Sequence, residues 1–195
     1  MQQRLAAAAA RPSVLTDIAL VVAASLITDA AAQVSLGWPV PITFQTCAVL
    51  GTSAYLGARL GVAAQLLYLA QGAAGLPVFA DGDRGYQWLT GVNALHPSGG
   101  YLWGFPLAAL VTGLICDRWG RSFYVTVPAM LLGSVALYVP GLLWLKSSLD
   151  LTWYQTQDLG LRPFVLGDLC KIAAAAAAVD PAAPWGRWVA RRPSG

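Results

Sequence analysis

The stretch "SGGYLWGFPLAALVTGLICDRWGR", Ser98 to Arg121, carries no charged side chain before Asp117. Its uncharged part, 98–116, has the length of a bilayer crossing, which takes ~17–25 residues as a helix. Asp117, Arg118, Trp119 and Arg121 follow at once, and Trp and Arg are residues that settle at headgroups. Lipid gives the backbone no hydrogen bonds, so a span is a helix or part of a closed barrel, and this run lacks the alternation of a barrel strand. The stretch therefore sets the fold class: helical and membrane-embedded.

Working outward, the same pattern recurs. Further apolar segments lie at about 14–36, 44–57, 60–77, 122–145 and 163–180, separated by polar or Pro/Gly-rich breaks, and only the second is short. None alternates as a barrel strand does. Charged residues make up 11% of the chain and hydrophobic ones 57%, whereas a soluble domain has about 25% charge. The sequence thus predicts an all-α integral membrane protein of six transmembrane helices in 14–180, with a short segment 1–13 before them and a basic tail 181–195 after them.

The arginines orient it. With six spans, Arg4, Arg11, Arg59, Arg118, Arg121, Arg187, Arg191 and Arg192 share one side, against Arg84, Lys146 and Arg162 on the other. The positive-inside rule then puts both termini in the cytoplasm and the protein in the cytoplasmic membrane. A net charge of +3 is accounted for by topology and does not imply nucleic acid. The N-terminal "RLAAAAARPSV" has the positive start of a signal peptide, but its apolar run is short and a full span follows, so it is expected to stay uncleaved. Cys47, Cys116 and Cys170 show no C-x-x-C spacing and read as small apolar fillers, with no metal or cofactor expected.

Two external loops hold most of the turn residues. "GWPVPITFQT", Gly37 to Thr46, has two prolines that impose an extended course and leave backbone groups free, which is tolerated at membrane depth only against protein or a cavity. "GLPVFADGDRGYQWLTGVNALHPSGG", Gly75 to Gly100, exceeds what a turn needs, and loops of that size act as lids or stay disordered. Small or modest side chains at Gly100, Gly104, Ala108, Thr112 and Cys116 form a stripe suited to close helix approach, either within the bundle or at a dimer contact. Ala19 and Ala23 repeat that spacing on the first span, for packing or for docking a partner in the membrane.

The sixth segment, "PFVLGDLCKIAAAAAA" from Pro163 to Ala178, places Asp168 and Lys171 one turn apart. Each charge at the centre of a span costs about 2.5–3.5 kcal/mol on insertion scales. An i,i+3 pair shares a face and can neutralise itself, yet an apolar pair is usually no less stable. Two readings stand: an ion pair that pins the helix, or the polar floor of a cavity beneath the two loops.

Five motifs in order carry a resemblance: "PVPITFQT", "LGARLG", "GLPVF", "SGGYLWGFPLAALVTGLICDRWGR" and "PFVLGDLCK". From about Trp38 to Lys171 the chain resembles the BioY family, the biotin-specific membrane (S) components of energy-coupling-factor (ECF) transporters. The resemblance implies a six-helix subunit that captures biotin at its outer face and works with a membrane scaffold protein and two cytoplasmic ATPases, although some members occur without that module. The family's D-x-x-K element falls on Asp168 and Lys171. A ureido ring offers two N–H donors and a carbonyl acceptor; ionised Asp168 only accepts and Lys171 only donates. The resemblance therefore implies that Asp168 accepts from the ureido nitrogens while Lys171 keeps it ionised and donates to the oxygen.

Thr43, Gln45 and Tyr101 are expected as polar walls, Trp103 and Phe44 as packing for the thiophane ring or as lipid-facing residues, and Arg84 as the cation for the ligand's carboxylate or as a solvated loop residue. Ala19 and Ala23 are implied as the contact with the scaffold. Relatives usually have "GPTGGY" where this chain reads "HPSGGY", His96 to Tyr101, so family roles at Asn93 and His96 do not transfer; Ser98 is expected to cap the fourth helix. Nanomolar capture of biotin needs about 12 kcal/mol over roughly 16 non-hydrogen atoms, which demands a mostly closed pocket.

Two rival classes are weighed on the residues. An enzyme would need His96, the only histidine, to activate Ser98 two residues away across a proline, a poor placement. A secondary transporter or channel using Asp168 and Lys171 would usually show internal repeats, and none is evident. The chain has no P-loop lysine, so any ATP is hydrolysed by another subunit.

Overall fold

The computed structural model describes residues 14–37, 39–91 and 96–182. Among these residues eight α-helices run in order: α1 Val14–Ala32, α2 Gln45–Leu56, α3 Ala58–Ala73, α4 Gln87–Thr90, α5 Gly99–Trp119, α6 Phe123–Ser148, α7 Trp153–Gly160 and α8 Arg162–Val179. Between α1 and α2, strands β1 Ser35–Leu36 and β2 Ile42–Thr43 pair antiparallel with Ser35 opposite Thr43.

Each of the six apolar segments is helical. Three of these helices, α1, α5 and α6, are long and apolar enough to cross a membrane by length and composition. With 12 residues, α2 rises only about 18 Å.

The predicted boundaries need correcting in four places. The first helix stops at Ala32, not at 36, because Ser35 and Leu36 leave it to pair with β2. The third stops at Ala73, not at 77, because Gly75 takes a positive φ and Pro77 cannot continue a helix. In contrast, α5 and α6 run on to Trp119 and Ser148, since hydrophobicity ends at Asp117 and Lys146 but backbone bonding does not. The sequence reading also passed over α7, which carries a capping box: Thr152 accepts from the Gln155 amide and the Gln155 side chain accepts from the Thr152 amide. The flanking segments with Arg4, Arg11, Arg187, Arg191 and Arg192 lie outside the described residues, as do Trp38 and Asn93.

The core is the crossing of α5 with α6, and the small-residue stripe makes it. A Cβ at Gly100 would collide with the Pro140 carbonyl and Trp144, and one at Gly104 with the backbone of Leu137. Further along, Thr112 Oγ1 donates to the Ala129 carbonyl at 3.3 Å. The stripe therefore serves packing within the chain. By contrast α1 lies at the periphery: 17% of its apolar window is buried, against 61% for α5.

At the end opposite the loops, α2 breaks into α3 at Gly57, whose φ of +84° suits glycine. The end of α5 clamps this break. Asp117 Oδ2 accepts from the Ala58 amide at 2.9 Å, Arg121 Nε donates to the Ala54 carbonyl at 2.8 Å, and the two side chains pair at 3.0 Å. One ion pair thus satisfies one of the last carbonyls of α2 and one of the first amides of α3, groups that a helix leaves orphaned. Asp180 treats α6 similarly by accepting from the Phe123 amide at 3.0 Å.

Candidate ligand-binding site

The pocket lies at the loop end, where the start of α2, the middle of α6 and the first half of α8 meet. Asp168 is 4% exposed. Its Oδ1 accepts from Thr46 Oγ1 at 3.0 Å and from Lys171 Nζ at 3.1 Å, and its Oδ2 accepts from Tyr138 Oη at 2.6 Å. Lys171 Nζ also donates to the Thr43 carbonyl at 2.7 Å and lies 5.9 Å from the Phe44 ring centroid. A carboxylate offers about four lone-pair positions, so three bonds leave Asp168 room for one more donor.

From this cluster opens a cavity of about 60 Å³. Lys171, Thr43, Gln45, Thr46, Tyr138 and Ser98 give it polar groups; Phe79, Trp88, Tyr101, Phe105 and Phe164 give it aromatic walls. Lys171 is the one cation among the described residues that lines it. Asp168 stands behind this lining, bonded to three residues of it. The two long loops roof the cavity with Val40 and Pro41 from the first and with Phe79, Ala80 and Trp88 from the second. They are tied together where Ser35 Oγ donates to Asp81 and Gln33 Nε2 to the Phe79 carbonyl at 3.5 Å.

Of the residues expected at the site, Thr43, Gln45, Tyr101, Asp168 and Lys171 come together here. The Tyr101 hydroxyl is engaged by the Gly160 carbonyl at 2.8 Å, so its ring forms wall while its oxygen ties α5 to the start of α8. Arg84 is exposed on the second loop, outside the lining, and follows Asp81 and Asp83. Burial pushes the Asp83 carboxyl up, Asp81 adds to the rise, and His96 opposes it. Phe44 and Trp103 are exposed at 53% and 44% and lie outside the lining.

The expectation for Ser98 is corrected: its hydroxyl caps nothing, because its backbone is already helical (φ −88°, ψ −1°), and the side chain lines the cavity. The His96 ring stacks on Trp88 at 4.2 Å, and its carbonyl accepts from Trp144 Nε1.

Thr46, Tyr138 and Tyr68 escaped the sequence reading. A tyrosine inside an apolar run needs a partner for its hydroxyl, and "ALYVPG" at Tyr138 gave that signal. Gln65, Tyr68 and Gln71 recur every three residues along α3, a polar line within an apolar helix.

A family model described as BioY family matches residues 1–187. A probable biotin transporter BioY of Pyrococcus horikoshii is 34% identical over 82% of this chain and 91% of its own. One from Methanothermobacter thermautotrophicus is 40% identical over 67% and 88%. The biotin transporter BioY of Thermotoga maritima is 36% identical over 78% and 86%. In fold the chain is similar to the crystal structure of the S-component for biotin from an ECF-type ABC transporter, with a TM-score of 0.76, 20% identity, and 87% and 91% of the two chains covered.

Proposed function

The chain belongs to the BioY family, and on that premise we propose that it is the substrate-capture subunit of a biotin uptake system. It is not an enzyme. The observation that carries this reading is the Asp168–Lys171 pair, placed by Thr46, Tyr138 and Thr43 at the end of an aromatic-walled cavity under two loops. Lys171 meets the ureido oxygen. The remaining lone pair of Asp168, with the oxygens of Gln45, Thr43 and Thr46, meets the ureido N–H groups, in surroundings where charge-assisted bonds are strong. Tyr101 walls the bicyclic ring. With Lys171 used at the ureido end, the carboxylate is left to Arg84, carried by the same loop that brings Phe79 and Trp88 to the pocket.

In the bilayer, α1, α2, α3, α5, α6 and α8 are the six spans. Both termini are cytoplasmic in this arrangement, and the pocket opens outward. Delivery inward is by an ECF scaffold with cytoplasmic ATPases. Ala19 and Ala23, both exposed on α1, are the contact with the scaffold. Ala23 also borders an apolar groove of about 440 Å³ between α1, α2 and α8.

Calorimetric titration of biotin into the purified protein tests the reading. One-site binding that collapses in a folded Asp168→Asn variant is expected, and a folded wild type that ignores biotin would overturn the assignment. Uptake in vesicles that follows a proton gradient and ignores the ATPases would favour a secondary transporter instead. Bulky residues at Ala19 and Ala23 are expected to abolish ATP-dependent uptake and spare biotin binding.

A further inference from the structure

A continuous line of hydrogen bonds leaves the pocket and ends in the second loop. Lys171 Nζ donates to Asp168 and to the Thr43 carbonyl. Thr43 Oγ1 donates to Gln45 Oε1 at 2.9 Å, Gln45 Nε2 to Tyr68 Oη at 2.8 Å, and Tyr68 Oη to the Val78 carbonyl at 3.0 Å. Tyr68 is fully buried in α3 and does not line the cavity. The next residue along the loop, Phe79, does line it. Its ring meets Tyr68 edge-on at 5.6 Å and sits on Gly72, where a Cβ would collide with it.

The loop also has to move. A cavity of about 60 Å³ is well below the ~300 Å³ at which small-molecule sites begin. A bicyclic ligand therefore enters only if roof residues such as Phe79 and Ala80 swing outward and then return.

We infer that Tyr68 is a positioning residue that transmits engagement of Gln45 to the second loop and so holds that loop closed over the ligand. This rests on the biotin reading above. The physical link is the hydroxyl: accepting from Gln45 polarises the O–H that Tyr68 gives to Val78, so fixing one bond strengthens the next. Gln45 keeps a second amide proton and a second lone pair for the ligand. A ligand that orders the Gln45 amide thereby orders Tyr68, Val78 and the seat of Phe79.

The test is stopped-flow binding of biotin to the full chain in nanodiscs, read by Trp fluorescence, with hydrogen exchange followed over 75–85. In Tyr68→Phe the ring stack survives and the relay is cut. Dissociation should speed up about tenfold or more, as expected when the two hydrogen bonds of one hydroxyl are lost, with association within about threefold of wild type. Biotin should protect 75–85 from exchange in wild type and fail to do so in the variant. Phe79→Leu, which leaves the relay but loosens the seat, should speed dissociation by a smaller factor. A Tyr68→Phe protein with a lowered melting temperature but wild-type dissociation and loop protection has lost only a structural bond, and the inference falls while the biotin reading stands. Failure of folded wild type to bind biotin at all overturns both.

Discussion

Two ion pairs one helical turn apart in sequence, Asp117–Arg121 and Asp168–Lys171, sit at opposite ends of the bundle and have opposite characters. At the first, the aspartate and arginine side chains are 44% and 17% exposed; at the second, the aspartate and lysine are 6% and 12% exposed. The first pair directs its hydrogen bonds to backbone at a helix break. In the second, Asp168 takes its hydrogen bonds from side chains that line a cavity, and Lys171 adds one to the Thr43 carbonyl. Spacing is therefore silent about role, and the partners of the carboxylate separate the two: Asp117 is held to backbone at a helix break, Asp168 to side chains at a cavity.

The sharpest way to break this contrast is Asp168→Asn, which leaves a nearly buried lysine without its counter-charge. Breaking such a pair costs about 3–5 kcal/mol of stability, and losing the carboxylate's charge-assisted bond to the ligand, about 1.5–3 kcal/mol, should lower biotin affinity by about 10- to 150-fold in calorimetry. The double variant Asp168→Leu/Lys171→Met sharpens it, because an apolar pair restores or raises the melting temperature while binding stays lost; recovered binding would return the pair to a structural role. Next in size is Tyr138→Phe, which removes one donor from Asp168 and should weaken biotin by about tenfold. Asp117→Asn should instead lower stability by about 1–2 kcal/mol, since it weakens a helix cap and an ion pair, and leave affinity within about threefold. If it weakens biotin as strongly as Asp168→Asn does, the contrast fails. Smallest is Arg84→Ala: an exposed charge contact is worth about 0.2–1 kcal/mol, so biotin should weaken by about 1.4- to fivefold and biotin methyl ester not at all.

Much of this was legible in one dimension. Uncharged runs gave the helices, because lipid and core make the same demand on a side chain. The glycine stripe of α5 named its own packing face. Asp168 and Lys171 were conspicuous because charges in apolar runs are costly. The partners of those charges were not legible, since Thr46 and Tyr138 reach Asp168 across 122 and 30 positions of sequence. Helix α7 was legible and overlooked; "TWYQ" at 152–155 has the hydroxyl and amide of a capping box at the required spacing. Ser98 misled because its residue type favours capping while its backbone angles do not allow it.

The break at Gly57 has a consequence for the surrounding lipid. With 12 and 16 residues, α2 and α3 are about 18 and 24 Å long, against a hydrocarbon thickness of ~30 Å. Taken as spans, as proposed above, they require the bilayer to thin or the bundle to lean on that flank, and on the flank of α6, with 26 residues, neither is required. The mismatch is thus one-sided, and acyl-chain length becomes a handle on how the molecule stands in the membrane.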